Sequence, residues 1–118
     1  MTLPSSCDVA VIGGGAAGLA TAIFAKRDAP AFSILVLEGA RKPGAKILIS
    51  GGSRCNVTNA VVSEADFSGG SRAIVRRVLR RFTSDHTIAF FQNLGVPLHV
   101  EPNGKLFPDS NQIGRAHV

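Results

Sequence analysis

The sequence predicts an α/β fold that begins with a parallel βαβ unit. Residues 8–13 and 33–38 each contain a continuous apolar run, which is typical of strands buried on both faces of a parallel sheet. Residues 16–27 lie between them, are rich in alanine and end in two cations, as the C-terminus of a helix favours. A crossover helix at this place would set the two strands side by side and parallel.

After the second strand, residues 39–59 are rich in glycine and show no helical period apart from a short apolar piece at 47–49. We therefore interpret this segment as a functional loop, since long loops without secondary structure in compact domains usually serve a function or are disordered.

A helical pair and a β-hairpin are predicted next. Residues 71–82 form an amphipathic helix whose core stripe is Ile74, Val78 and Phe82, with Val75 and Leu79 beside it and arginines opposite. A second helix is expected at 85–94, with Ser84 as its N-cap and Gly95 just beyond its end. Residues 96–100 and 105–107 flank a Glu-Pro-Asn-Gly turn, which has the chemistry of a hairpin.

The composition is that of one small globular domain, with 118 residues, 45% of them hydrophobic and 18% charged. Cys7 and Cys55 are far apart and lack metal-ligand spacing, so we expect no metal site and a reducing, cytoplasmic setting. The apolar run at residues 9–25 is interrupted by glycines and is shorter than a spanning helix, so no membrane segment is predicted.

The net charge of +5 comes from one segment, because the predicted helix at 71–82 holds five of the 13 basic residues and leaves eight against eight acidic ones. These arginines are Arg72, Arg76, Arg77, Arg80 and Arg81. The segment lacks interleaved aromatic residues and a recognised nucleic-acid motif. We interpret it as a solvated or interdomain face and predict that it binds neither nucleic acid nor a membrane.

A phosphate-binding turn is indicated between the first strand and the first helix. Gly13, Gly15 and Gly18 spell G-x-G-x-x-G, and Ala16 begins the helix, whose free N–H groups would face a diphosphate. Glu38 ends the second strand twenty residues after Gly18, where a carboxylate can accept hydrogen bonds from ribose hydroxyls. The combination predicts a dinucleotide site, and the acid disfavours a 2′-phosphate; the spacing does not separate FAD from NAD.

The residues around these motifs resemble a known family. Residues 8–18 (DVAVIGGGAAG) resemble the N-terminus of the FAD-binding domain in flavoproteins of the two-dinucleotide-binding-domain superfamily. Residues 44–59 (GAKILISGGSRCNVTN) and 104–110 (GKLFPDS) resemble bacterial NAD(P)/FAD-dependent oxidoreductases that include the bile-acid dehydroxylation flavoprotein and aminoacetone oxidase-like proteins. Two positions depart from the pattern, since the family commonly has a basic residue in place of Ala45 and glycine in place of Ser53.

The resemblance implies a Rossmann-like FAD-binding flavoprotein in which NAD(P)H delivers hydride to the flavin, which then reduces an unidentified organic substrate. It further implies that the loop folds over the cofactor, with Gly51 and Gly52 allowing close backbone approach and Arg54 and Asn56 near the diphosphate or the flavin. Lys46 is expected either to contact the cofactor or to be a surface lysine. No residue is identified as a catalytic acid, base or nucleophile.

Members of this family are several times longer than the present sequence. We therefore expect residues 1–118 to be the N-terminal fragment of an FAD/NAD(P)-binding Rossmann-like domain, and thus an incomplete domain. A truncated, non-catalytic dinucleotide-binding fragment and an NAD-binding unit remain open alternatives. The expected partner is a small-molecule substrate, and the sequence does not determine the oligomeric state. We assign no chemical role to Cys55 or to the separated histidines His86, His99 and His117.

Overall fold

The structure is a computed structural model that describes residues 2–110. The chain divides into two compact units, Met1–Leu48 and Ile49–Val118. The elements follow the order β1 (Val9–Ile12), α1 (Ala16–Asp28), β2 (Ile34–Leu37), α2 (Ala45–Ser53), β3 (Thr58–Asn59), a 3₁₀ turn (Glu64–Asp66), α3 (Arg72–Arg81), α4 (Ser84–Asn93), β4 (Leu98–Val100) and β5 (Lys105–Pro108). His117 lies outside the described residues.

The first unit contains the predicted βαβ arrangement, which confirms the α/β fold. β1 and β2 pair in parallel, with Val9 opposite Ile34 at one end and Ile12 opposite Leu37 at the other. Asp8 fixes the start of this pair, because its Oδ2 accepts hydrogen bonds from the backbone N–H and the hydroxyl of Ser33 at 2.7 and 2.8 Å. The register of the parallel pair is thus reinforced by a side chain just before β1.

Helix α1 approaches β1 very closely at Gly18. A Cβ atom on Gly18 would lie 1.8 Å from the carbonyl oxygen of Gly13 and 3.4 Å from a methyl group of Val11. Real Cβ atoms do not approach a backbone oxygen so closely, so only glycine allows the helix to leave the strand at this distance.

Strand β1 is not buried on both faces, so that expectation is wrong for β1, whereas all four residues of β2 are half-buried. Val9 and Val11 are half-buried, whereas Ala10 is exposed and Ile12 is 78% exposed. The alternation has a simple cause, since α1 packs against the pair and a single helix covers one face of a sheet.

The second unit contains a three-stranded antiparallel sheet in the order β3-β5-β4. The predicted hairpin is confirmed, because β4 and β5 pair across a turn in which the N–H of Gly104 donates to the carbonyl of Glu101 at 2.8 Å. The central strand β5 provides most of the core, in which the most buried residues are Cys55, Leu106, Phe107 and Pro108.

The interpretation of residues 39–59 as one loop is wrong, because the segment contains α2 and β3. The helical start of α2 is too short to show a period, and the backbone leaves helical geometry at Ser50, Gly51 and Gly52. Strand β3 has two residues and exists through its pairing with β5, which lies nearly fifty residues away in the sequence. Neither element has a local sequence signal.

The helical pair is confirmed, with two corrections. In α3, Val75 and Leu79 are half-buried, while Ile74, Val78 and Phe82 of the expected core stripe are exposed. The N-cap of α4 is Thr83 rather than Ser84.

At this cap, the Thr83 hydroxyl accepts from the N–H of His86, and His86 Nδ1 accepts from the N–H of Thr83. Thr83 has extended backbone geometry, whereas Ser84 is already helical. Gly95 follows the helix with φ +77°, as expected for a residue just beyond a helix end. Among residues 2–110, no helix combines the length and the apolar composition that crossing a bilayer requires.

The Asp8–Ser33 contact predicts an acid-dependent stability. Two hydrogen bonds from Ser33 lower the pKa of Asp8, so its contribution is complete above its usual pKa and is lost as the pH falls through the lowered value. We expect Asp8→Asn to lower the melting temperature at pH 7 by a few degrees, and we expect this difference to shrink as the pH falls through the lowered pKa of Asp8. Thermal unfolding at pH 7 and at a series of acidic pH values measures it, and a difference that stays constant into acid would contradict the assignment.

Candidate functional site

The turn between β1 and α1 exposes backbone donors at the start of a helix. Gly13 has φ +100° and donates its N–H to the carbonyl of Leu37 at 2.7 Å, which fixes the turn to the end of β2. Gly15 is the N-cap of α1, but no side chain caps the helix and its first turn holds no acidic residue. The first N–H groups of a helix have no intrahelical acceptor, so this end favours an anion.

Gly15 differs from the other glycines of the motif in its surroundings. A Cβ atom on Gly15 would meet nothing within 4 Å, although its φ of −80° suits any residue. The absence of a side chain therefore serves neither folding nor close packing within the described residues. It leaves open space beside the backbone at the helix end, which is the space that a phosphate needs.

The carboxylate of Glu38 is held in place by the glycine turn. Its Oε2 accepts the N–H of Gly14 at 2.7 Å, and its Oε1 accepts the N–H of Ala40 at 2.9 Å. The bonds from Ala40 and then Gly14 lower the pKa of Glu38, so the group is ionised at neutral pH. A carboxylate has about four lone-pair sites, so an exposed Glu38 can still accept hydroxyl donors from a ligand.

Sequence reasoning missed two further glycines that shape this site. Gly14 occupies a variable position of the motif, yet a Cβ there would lie 3.0 Å from Glu38 Oε2 and 3.3 Å from the Cβ of Pro43. Gly44 is buried, has φ +72° and donates its N–H to the carbonyl of Gly14 at 2.7 Å. Gly14 could have been noticed in the sequence, because it is an additional glycine at a variable position of the G-x-G-x-x-G motif.

Lys46 is exposed in the first turn of α2.

In the second unit, the glycine pair of the loop motif has two different environments. Gly51 has φ +58°, and a Cβ there would lie 2.6 Å from the backbone nitrogen of Asn56 and 3.0 Å from the ring of Phe107. Gly52 has φ +67° and open space around it. Ser53 also has φ +67°, which explains in physical terms why glycine suits this position.

Asn56 and Arg54 make contacts within the second unit. The Asn56 amide donates to the carbonyls of Thr58 and Leu106 at 3.0 and 3.1 Å, which attaches the loop motif to the sheet. Arg54 pairs with Glu101 through Nη1 at 2.5 Å and lies 4.1 Å above the ring of Phe107. The structure therefore shows a structural task for both residues, alongside the cofactor contacts that the resemblance implies.

The structure shows contacts of His99 and a backbone geometry of Cys55 that the sequence did not indicate. Contrary to the sequence-based expectation, His99 is not isolated. Its Nδ1 lies 3.2 Å from Asp109 Oδ1, and its Nε2 lies 3.7 Å from Glu101 Oε1. Cys55 is a buried free thiol with φ +62°. Within residues 2–110, no group of His, Cys, Asp or Glu side chains is arranged to hold a metal ion.

The geometry of the first unit suits a dinucleotide. An uncapped helix end, an open backbone at Gly15 and an ionised Glu38 fixed by Gly14 provide donors for a diphosphate and an acceptor for ribose hydroxyls. An isolated phosphate would need no such acceptor, so the pair of features points to a nucleotide ligand.

Comparisons with known proteins agree with this geometry. The model of the HI0933-like protein Rossmann domain matches residues 7–116. The chain is 35% identical over 104 residues to the 3-dehydro-bile acid delta(4,6)-reductase of Clostridium scindens, with 88% of this chain and 25% of that protein covered. It is 34% identical over 104 residues to the ribosomal RNA dihydrouridine synthase of Escherichia coli, with 88% and 26% covered.

The protein of that name from Haemophilus influenzae is 37% identical over 100 residues, with 84% of this chain and 24% of that protein covered. The chain thus spans about a quarter of the length of these curated relatives. The family match includes the turn with Glu38 and the motif with Arg54 and Asn56. The chain therefore belongs to the HI0933-like Rossmann-domain family of FAD-binding oxidoreductases.

Proposed function

We propose that this chain provides the adenosine-diphosphate part of an FAD site in a flavin-dependent reductase. The observation that carries the proposal is the Glu38 carboxylate, which the N–H groups of Gly14 and Ala40 fix beside an uncapped helix end. Ribose hydroxyls would donate to Glu38, and the diphosphate would accept from the first N–H groups of α1. The open space at Gly15 lets the diphosphate approach the backbone.

Family membership favours FAD over NAD at this turn, since the geometry of the turn suits the adenosine half of either molecule. Glu38 opposes a 2′-phosphate by charge, so NADP is disfavoured at this particular site. The two cysteines are free thiols, which suits a reducing, cytoplasmic setting.

The substrate names of the relatives point to one type of acceptor. A 3-dehydro bile acid with delta(4,6) unsaturation and uridine both carry a carbon–carbon double bond conjugated with a carbonyl group. Such a bond is polarised, so it takes up a hydride at one carbon and a proton at the other. We therefore propose that the acceptor is an unsaturated carbonyl compound and that the electron donor is NAD(P)H.

The division of work follows from the residues present. When bound, FAD would supply the hydride-transfer chemistry that links the nicotinamide donor to the acceptor. The chain's own residues bind and orient the adenosine half, through Glu38 and the backbone from Gly15 to Gly18. None of the described residues is assigned as the acid that protonates the acceptor.

A small-molecule acceptor is the first proposal, and uridine in RNA is the second candidate. The second is favoured by α3, whose five arginines are all exposed, although Arg76 is paired with Glu64 at 2.6 Å. α3 carries no aromatic side chain on which a base could stack, so any attraction should be an electrostatic, sequence-independent one that falls steeply with salt.

We expect the native-length protein to purify with bound flavin, and Gly15→Leu to abolish this binding. A leucine side chain would fit the backbone of residue 15 but would fill the open space beside the helix end. Flavin absorbance per protein measures the result. Thr21→Leu is the matched control, because it places the same side chain at an exposed position six residues further along the chain in α1.

In the same assay, Glu38→Ala should weaken FAD binding roughly ten- to a hundredfold, the range for losing charge-assisted hydrogen bonds. Stoichiometric flavin in Gly15→Leu would show that the cofactor does not use this turn.

The acceptor class can be tested in the absence of oxygen. Flavin in the native-length protein, reduced by NADH or NADPH, should be reoxidised by a steroid 4,6-dien-3-one, with two hydrogen atoms gained by the steroid. The saturated 3-oxo steroid is the control, because it lacks the conjugated double bond. If transcribed ribosomal RNA reoxidises the flavin and forms dihydrouridine, and the steroid does not reoxidise it, the second candidate is favoured. Reoxidation by neither compound would contradict the proposed acceptor class.

A further inference from the structure

The second unit contains an open cleft of about 490 Å³ beside α3. This volume lies within the range of small-molecule sites in proteins. Helix α3 contributes Arg76, Leu79 and Arg80 to the lining, and the segment around the 3₁₀ turn contributes Glu64 and Phe67. All of the residues that line the cleft belong to the second unit, so the cleft is formed within that unit alone.

Positive charge accumulates on the face of α3 that borders the cleft. Arg72, Arg76 and Arg80 follow one another at intervals of four residues, so they are neighbours along one side of the helix. Like charges at this spacing destabilise a helix. Arg76 pairs with Glu64. Among residues 2–110, no carboxylate forms an ion pair with the other two arginines.

The pair between Glu64 and Arg76 leaves donors available for a ligand. Nε and Nη2 of Arg76 lie 2.7 and 2.6 Å from the same oxygen, Oε1 of Glu64. Arginine has five N–H groups, so most of them stay outside this pair, and the side chain of Arg76 is 49% exposed. The backbone N–H of Glu64 itself, and then Arg76, lower the pKa of Glu64. The ionised acid thus balances one arginine of the cleft and leaves the charge of Arg80 uncompensated.

The other walls of the cleft combine hydroxyl groups with aromatic surface. The Ser63 oxygen accepts the N–H of Ala65 at 3.3 Å, so its O–H remains able to donate to a ligand. Phe67 and Phe82 are 50% and 42% exposed, although both line a concave surface. A ligand that removes such apolar surface from water gains binding free energy. The cleft therefore offers N–H and O–H donors to a head group and aromatic surface to an apolar body.

We propose that this cleft binds a small organic anion, whose oxyanion head group pairs with Arg80 and Arg76 and whose apolar body packs against Phe67. A carboxylate and a phosphate ester share this chemistry, because both present charged oxygens to N–H donors. A bare inorganic ion would leave the aromatic wall in water, so the wall indicates an organic ligand. The inference is independent of the proposed function, since none of these residues belongs to the first unit.

Calorimetric titration of the native-length protein, with FAD present in excess, tests the proposal. The probes are phenyl phosphate and benzoate. Inorganic phosphate is the control without a ring, and phenol is the control without a charge at pH 7. We expect at least one aromatic anion to bind more tightly than both controls. Tighter binding of phenyl phosphate would identify a phosphate ester as the ligand, and tighter binding of benzoate would identify a carboxylate; either result supports the proposal.

Arg80→Gln and Arg77→Gln form a matched pair of variants. Both remove one charge from an exposed position of α3, but of the two only Arg80 lines the cleft. We expect Arg80→Gln to weaken the aromatic anion by about tenfold or more, as for the loss of a charge-assisted hydrogen bond, and Arg77→Gln to leave its affinity nearly unchanged. Phe67→Ala should weaken the aromatic anion several-fold, because its ring would lose an apolar contact.

Equal losses in the two arginine variants would overturn the proposal, because they would indicate a general attraction to the charge of α3. Unchanged affinity in Arg80→Gln would overturn it as well. If both aromatic anions fail to bind, or bind no more tightly than inorganic phosphate, the cleft is not a site for an organic anion.

Discussion

The contact between Gly18 and the carbonyl of Gly13 is the constraint on which the candidate site depends. Because residue 18 has no side chain, α1 can start directly against the end of β1, and its first N–H groups remain uncapped at the turn. The same compact turn brings the N–H of Gly14 to Glu38 at the end of β2. One steric requirement thus positions both the free N–H groups of the helix end and the Glu38 carboxylate, the groups that we propose bind a diphosphate and a ribose.

The two glycine-rich segments of the chain solve different problems. In the first unit, the backbone at Gly15 is open, because nothing in the described part of the chain occupies that space, and the proposed function assigns the space to a phosphate. In the second unit, Gly51 allows the loop to approach Asn56 and Phe107 closely. The Asn56 side-chain amide donates its hydrogen bonds to backbone carbonyls. Arg54 in the same unit pairs with Glu101, and its side chain remains partly exposed.

The features that the sequence predicted are those with local causes. The strand, turn and helix around Gly13 follow from apolar runs, glycine spacing and terminal cations, and the β4–β5 hairpin follows from its turn residues. β3 could not be predicted, because its two residues become a strand only through pairing with β5. The exposed stripe of α3 was mistaken for core, since periodicity shows that a face is apolar but not what covers it.

The site was predictable to the same degree. The candidates Gly13, Gly15, Gly18 and Glu38 come from spacing, because the motif places its glycines and the following acid at fixed offsets. Gly14 and Gly44 contact residues that are distant in the sequence, and these contacts appear only when the chain is folded. This chain spans about a quarter of the length of these relatives, so their remaining residues are outside any prediction from its sequence.

Hydrogen exchange of the native-length protein with and without FAD tests the central claim most directly. If the helix end binds the diphosphate, saturating FAD should strongly slow exchange at the amides of Gly15, Ala16, Ala17 and Gly18, and the effect should be absent with riboflavin, which has no phosphate. Bound FAD that leaves the exchange of these amides unchanged would contradict the account, because the cofactor would then be held elsewhere.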